Sequence, residues 1–143
     1  HIEKALDVIN YTEKPIKAKS RPLKLIKEDY TRSFLVACPH FVTEKIELEG
    51  NYLLNNQQDK FCVLICLQGN GQLKFNGENY SISAGETFLI PAVIEQIEIQ
   101  GELTFTNSYV PINRKKVIQN LIRLGFDKKE INNLSGLNDW QDD

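Results

Sequence analysis

Two histidines, His1 and His40, and three cysteines, Cys38, Cys62 and Cys66, are the whole supply of imidazole and thiol in the chain. Nucleophilic chemistry through a Cys-His pair would have to use Cys38 and His40, which share a face if both lie on a strand. Nothing beside them supplies an orienting third group or a lowered thiol pKa, so His40 reads as a packed or surface residue. Cys62 and Cys66 stand about 13 Å apart on a strand that rises roughly 3.3 Å per residue, too far for a disulfide. The odd count reads as reduced, buried thiols behaving as small apolar groups in a cytoplasmic protein. Acid–base work calls for carboxylates that face one another, but Glu44 with Glu47 and Glu95 with Glu98 are spaced so that strand alternation sends the members of each pair to opposite faces. Solvated faces are expected for them. Arg114-Lys115-Lys116 has the charge to meet an anion, and its plainer reading is the polar side of an amphipathic helix.

The elements that would position these residues are mostly strands. Along Phe41 to Leu48, Ile46 and Leu48 face one way and Lys45, Glu47 and Glu49 the other, the signature of a half-buried strand. Gly50 is expected to end it, Tyr52-Leu53-Leu54 to resume, and Asn55-Asn56-Gln57-Gln58-Asp59 to form a loop. Phe61 to Leu67 is apolar on both faces, which predicts a strand in the middle of a sandwich. Gly69-Asn70-Gly71 should break the chain, and Asn76-Gly77 is the strongest hairpin signal. Further strands are expected at Tyr80 to Ile82, Thr87 to Ile90, Ile94 to Ile99 and Leu103 to Val110, punctuated by Gly85, Pro91 and Gly101. Short strands at this spacing predict an all-β sandwich or barrel.

After Pro111 the period becomes helical. Asn113 is an expected N-cap, Val117, Leu121 and Leu124 with Ile118 and Ile122 form an apolar stripe, and Gly125 is an expected C-cap. Asp127 to Glu130 reads as a capping box for a second short helix reaching about Leu134. The acidic end is expected to fray unless Trp140 docks. This gives an extended lead-in over residues 1–29, a β domain over 30–111 and a helical tail over 112–143.

With 143 residues, 41% of them apolar and 25% charged, the chain has material for one core. A net charge of −2 argues against binding nucleic acid or an anionic membrane. The basic residues Lys14, Lys17, Lys19, Arg21, Lys24 and Lys27 have no interleaved aromatics and read as a solvated linker. No apolar run approaches the roughly 20 residues that cross a bilayer. Lacking both a methionine and a signal-peptide pattern, the sequence reads as a fragment of a longer protein.

Gly69-Asn70-Gly71-Gln72-Leu73, Gly77 and Gly85-Glu86-Thr87-Phe88-Leu89-Ile90-Pro91 resemble the glycine and proline skeleton of cupins. That implies a double-stranded β-helix, or jelly roll, and by itself no activity. With His1 to Ile9, Cys38-Pro39-His40-Phe41 and Ser108-Tyr109-Val110 in this order, residues 1 to about 110 resemble the C-terminal domain of bacterial type I mannose-6-phosphate isomerases. The resemblance implies a parent enzyme that interconverts mannose 6-phosphate and fructose 6-phosphate with one zinc ion. Ligands and active-site arginine would lie in a preceding N-terminal cupin domain, the expected partner of this one. The helical tail departs from the family.

Active cupins hold a metal with a His-x-His pair, a glutamate and a later histidine. Laid on this chain, the paired-histidine slots fall among Asn55, Asn56, Gln57 and Gln58, the glutamate slot on Cys62 and the last on Gln96. None carries the expected ligand, so no catalytic, cofactor-binding or metal residue is assigned. Two readings follow. One is a non-catalytic domain, inactive alone, that supports the zinc-bearing half and self-associates when isolated. The other is a free-standing regulatory cupin that binds a small ligand and signals or dimerises through its tail.

Overall fold

The structure, a computed structural model, describes residues 2–7, 21–56, 60–137 and 140. Its strands, in chain order, are β1 (Leu23–Ile26), β2 (Tyr30–Ala37), β3 (Val42–Asn55), β4 (Cys62–Phe75), β5 (Glu78–Ser83), β6 (Thr87–Ile90) and β7 (Gln96–Tyr109). All pairings are antiparallel. They join into one sheet of order β1-β2-β3-β7-β4-β5, with β6 also on β4. The sheet rolls so that one face encloses the core, the jelly roll that the sequence implied.

Three long strands make the roll, and glycines make them long. β3 runs unbroken through Gly50, β4 through Gly69 and Gly71, and β7 through Gly101, where the sequence led us to expect strand ends. The reason lies in the pairing. Gly50 and Gly71 are both cross-strand partners of Gly101, so three strands bend at one level. A Cβ on Gly101 would sit 2.6 Å from the Asn70 carbonyl oxygen and 2.7 Å from the Gly71 Cα. With no side chain at that level the backbones close up and each strand passes from one layer of the roll to the other. A bulge between Cys66 and Gln68 shifts the register of β4; the buried side chains Cys62, Leu64 and Cys66 precede it, and Leu73, of opposite parity, follows.

Local chemistry sets the remaining elements. Asn76 and Gly77 both have positive φ, 49° and 81°, the type I′ geometry that closes β4 onto β5. Helix α1 (Ile2–Asp7) lies in the stretch read as extended, where Ile-Glu-Lys-Ala-Leu favours helix. β1 lies there too, pairing Leu23 with Phe34, because Leu23 and Leu25 alternate with Lys24. Residues 8–20, with Lys14, Lys17 and Lys19, are outside the described residues, as are His1 and 57–59. Helix α2 (Arg114–Arg123) starts at Asn113, whose side chain accepts from the Lys116 amide at 2.8 Å. It ends before Gly125 at φ 101°. Helix α3 (Lys128–Ile131) carries the expected Asp127–Glu130 capping box, and turns continue to Leu134.

One apolar cluster fills the roll, with Ile46, Leu64, Ile99 and Phe105 among its fully buried members. A second joins Phe34 and Val42 of the strands to Leu121 of α2 and to Ile131, Leu134 and Leu137. Trp140 packs against it. The helices therefore close one end of the roll, and residues from both ends of the sequence share this second core. β4 corrects another expectation. It is central in the sheet, but within the run Phe61 to Leu67 only Cys62, Leu64 and Cys66 are buried in the core, while Phe61, Ile65 and Leu67 are exposed. Nothing among the described residues covers that outer face.

Candidate functional site

Inward-facing residues of the long strands change chemistry partway along. On β3, Val42 belongs to the second cluster and Ile46 and Leu48 to the first, with Glu44 between them; on β7, Asn107 interrupts Leu103, Phe105 and Tyr109 in the same way. Glu44 and Asn107 are cross-strand partners. Arg32 of β2 reaches the same level. A polar layer thus separates the two apolar cores, under the cap made by α2.

Its centre is a hydrogen-bonded trio. Arg32 Nε donates to Glu44 Oε2 at 2.5 Å, and Asn107 Nδ2 donates to Glu44 Oε1 at 2.8 Å. The Glu44 side chain is 1% exposed and that of Arg32 18%. The Arg32 guanidinium also lies 4.7 Å from the Phe34 ring centre. Burial alone would lower the Arg32 pKa, but the Glu44 charge and hydrogen bond outweigh it and hold the group above its ordinary value. Asn107 Oδ1 is buried with no hydrogen-bond partner among the described residues. Flipping the amide would turn an acceptor toward the carboxylate, so the observed orientation is the favourable one.

A cavity of about 220 Å³ adjoins the trio, with Tyr52, Asn56, Lys60, Cys62 and Tyr109 among its other lining residues. Burial raises the pKa of both tyrosines, Arg32 opposes and the Glu44 charge adds to the rise, so both phenols stay protonated at neutral pH. Burial pushes the Cys62 thiol up to about 11, against the opposing pull of Lys60. Lys60 Nζ sits 3.9 Å from the centre of the Tyr109 ring. A second cavity of about 210 Å³ shares Lys60, Tyr109 and Asn120 with the first and opens along α2 past Lys116 and Arg123.

The metal slots of the cupin template do come together here, carrying other chemistry. Asn55 and Gln96 are cross-strand partners, and Gln96 Nε2 donates to Asn55 Oδ1 at 2.9 Å. Asn56 donates its side-chain amide to the Pro91 carbonyl at 3.2 Å. Amides bonded to each other or to backbone, beside a thiol that burial keeps protonated, do not fit zinc; Gln57 and Gln58 lie outside the described residues. Cys38 and His40 are not on a strand. They sit in a turn closed by the Cys38 amide on the Phe41 carbonyl, with His40 exposed, because Pro39 cannot donate to a ladder.

One expectation fails at this site. Glu44 is not solvated, although Glu47 is exposed and lies 3.0 Å from Lys45. Lys116 belongs to a cavity wall as well as to the polar side of α2. Arg32, Tyr52, Lys60 and Asn107 were not singled out from sequence. The signal available was phase: Glu44 is in step with Ile46 and Leu48, and Asn107 with Leu103 and Phe105, so each is a polar residue on an inward face.

Residues 30–110 match the family described as mannose-6-phosphate isomerase, cupin domain. A mannose-6-phosphate isomerase of Streptococcus mutans serotype c (strain ATCC 700610 / UA159) is 26% identical over 109 residues, which are 76% of this chain and 33% of that protein. The mannose 6-phosphate isomerase from Bacillus subtilis superposes with a TM-score of 0.60 at 19% identity, covering 76% of this chain and 33% of that one. The EutQ protein of Clostridium difficile gives 0.51 at 16% identity, covering 62% and 75%. At these identities the solved structures show a shared fold alone. The chain spans about a third of the length of the two isomerases it matches.

Proposed function

The chain belongs to the mannose-6-phosphate isomerase cupin family, and from that premise we propose that it is the non-catalytic C-terminal cupin domain of such an isomerase. The observation that carries this reading is the donor set at the metal slots: Asn55, Asn56, Cys62 and Gln96 offer amides and a protonated thiol where an active cupin needs imidazoles and a carboxylate. Zinc and the aldose–ketose chemistry then belong to an N-terminal domain in the remaining length of the parent. The exposed apolar row Phe61, Ile65 and Leu67 with Leu89 of β6 supports a surface that packs against that domain.

Isomerase activity, assayed with added zinc on this chain and on a full-length parent, tests the reading. Turnover by the parent alone is the expected result. Turnover by the 143-residue chain would overturn it. A second reading, a ligand-binding regulatory cupin, is favoured by one observation, the polar cavity under α2.

A further inference from the structure

The guanidinium of Arg32 is only partly used. Its Nε donates to Glu44 Oε2 and its face lies against the Phe34 ring, but neither terminal nitrogen has a hydrogen-bond acceptor among the described residues. Glu44 is engaged elsewhere, with Asn107 on its other oxygen. The Arg32 side chain is 18% exposed and lines the cavity of about 220 Å³ under α2. Tyr52 and Tyr109 line the same cavity. Burial keeps both phenols protonated at neutral pH, and neither hydroxyl has a partner among the described residues. The cavity thus gathers donors whose acceptors are missing, a shortfall that enclosed polar groups rarely tolerate.

From this surplus of donors we propose that the cleft between the mouth of the roll and α2 binds a short aliphatic monocarboxylate. Its two oxygens match the fork formed by the terminal nitrogens of Arg32, and the phenols donate to the lone pairs that remain. A phosphate dianion fits less well, because it brings a second negative charge beside Glu44, whose own charge Arg32 already balances. A carboxamide fits less well because it turns a donor toward donors. The rest of the wall, with Leu54, Leu124 and the protonated thiol of Cys62, suits an alkyl chain. The cavity is smaller than the roughly 300–1,000 Å³ of pockets for drug-sized ligands, which keeps that chain short. Lys60 at the mouth takes no part in this recognition, and the site stands on the geometry of this chain with or without a parent enzyme.

The test is a titration of this chain with sodium propionate, exchanged for sodium chloride at constant ionic strength, and separately with propionamide. Propionate is expected to shift the backbone amide resonances of the strands around the cavity, saturably in the millimolar range, and to raise the melting temperature. Propionamide is expected to do neither. Tyr52→Phe and Tyr109→Phe each remove one hydroxyl and leave the Arg32–Glu44 pair in place, and each is expected to weaken propionate binding about tenfold. Arg32→Met alone would strand the Glu44 charge, so the fork is removed by Arg32→Met together with Glu44→Leu, a chain expected to stay folded and to ignore propionate. Four results would each overturn the proposal: no saturable response to propionate, an equal response to propionamide, binding undiminished by both phenylalanine substitutions, or binding that survives loss of the fork.

Discussion

Glu44 is the residue whose surroundings matter most, because its carboxylate holds Arg32 on one oxygen and Asn107 on the other. Removing one member of a buried ion pair strands the other charge, an effect of about 3–5 kcal/mol, whereas replacing both with apolar groups is often neutral or stabilising. Glu44→Leu should therefore lower stability by about that amount in urea denaturation, and Arg32→Met combined with Glu44→Leu should recover most of it. A double variant as unstable as Glu44→Leu would show that the pair is not the source of the loss. The sequence makes the alternation around Glu44 plain, with Lys45 and Glu47 outward. It cannot show that Glu44 is paired, because the partner sits on another strand and only the register of β2 on β3 brings the two together.

Elements divide in the same way between local and non-local causes. The Asn76-Gly77 hairpin and the caps at Asn113, Gly125 and Asp127 were legible because each depends on a few adjacent residues. Gly50, Gly71 and Gly101 were legible as breaks in pattern but not as bends, since a glycine ends a strand or folds one according to what lies opposite. Here glycine lies opposite glycine. Gly101→Ala would place a Cβ within 2.7 Å of backbone atoms on β4, at a φ of +138°. It should cost at least about 1–3 kcal/mol, read as a lowered melting temperature. Gly77→Ala, whose Cβ would meet nothing within 4 Å, should cost less. Equal losses at the two positions would refute the close-approach explanation.

For the molecule as a whole, the unfilled requirement is the outer face of β4 and β6. Ile65 is 38% and Leu89 64% exposed, and an apolar row of this kind on a lone domain marks an interaction surface. The isolated chain should self-associate in sedimentation velocity runs, and Ile65→Lys with Leu89→Lys should return it to a monomer. A wild-type chain that stays monomeric at high concentration would count against this face as an interface. The core also ties distant parts of the chain together. The Ala37 amide donates to the Ser135 carbonyl at 2.9 Å, and Val36 forms a parallel bridge with Ser135. During synthesis at 5–20 residues per second, Phe34 and Val42 must then wait on the order of 5–20 s for the residues that cover them to be made. Over that interval the nascent roll is open at one end, and a ribosome that stalls before Arg114 leaves a chain whose second core has no lid.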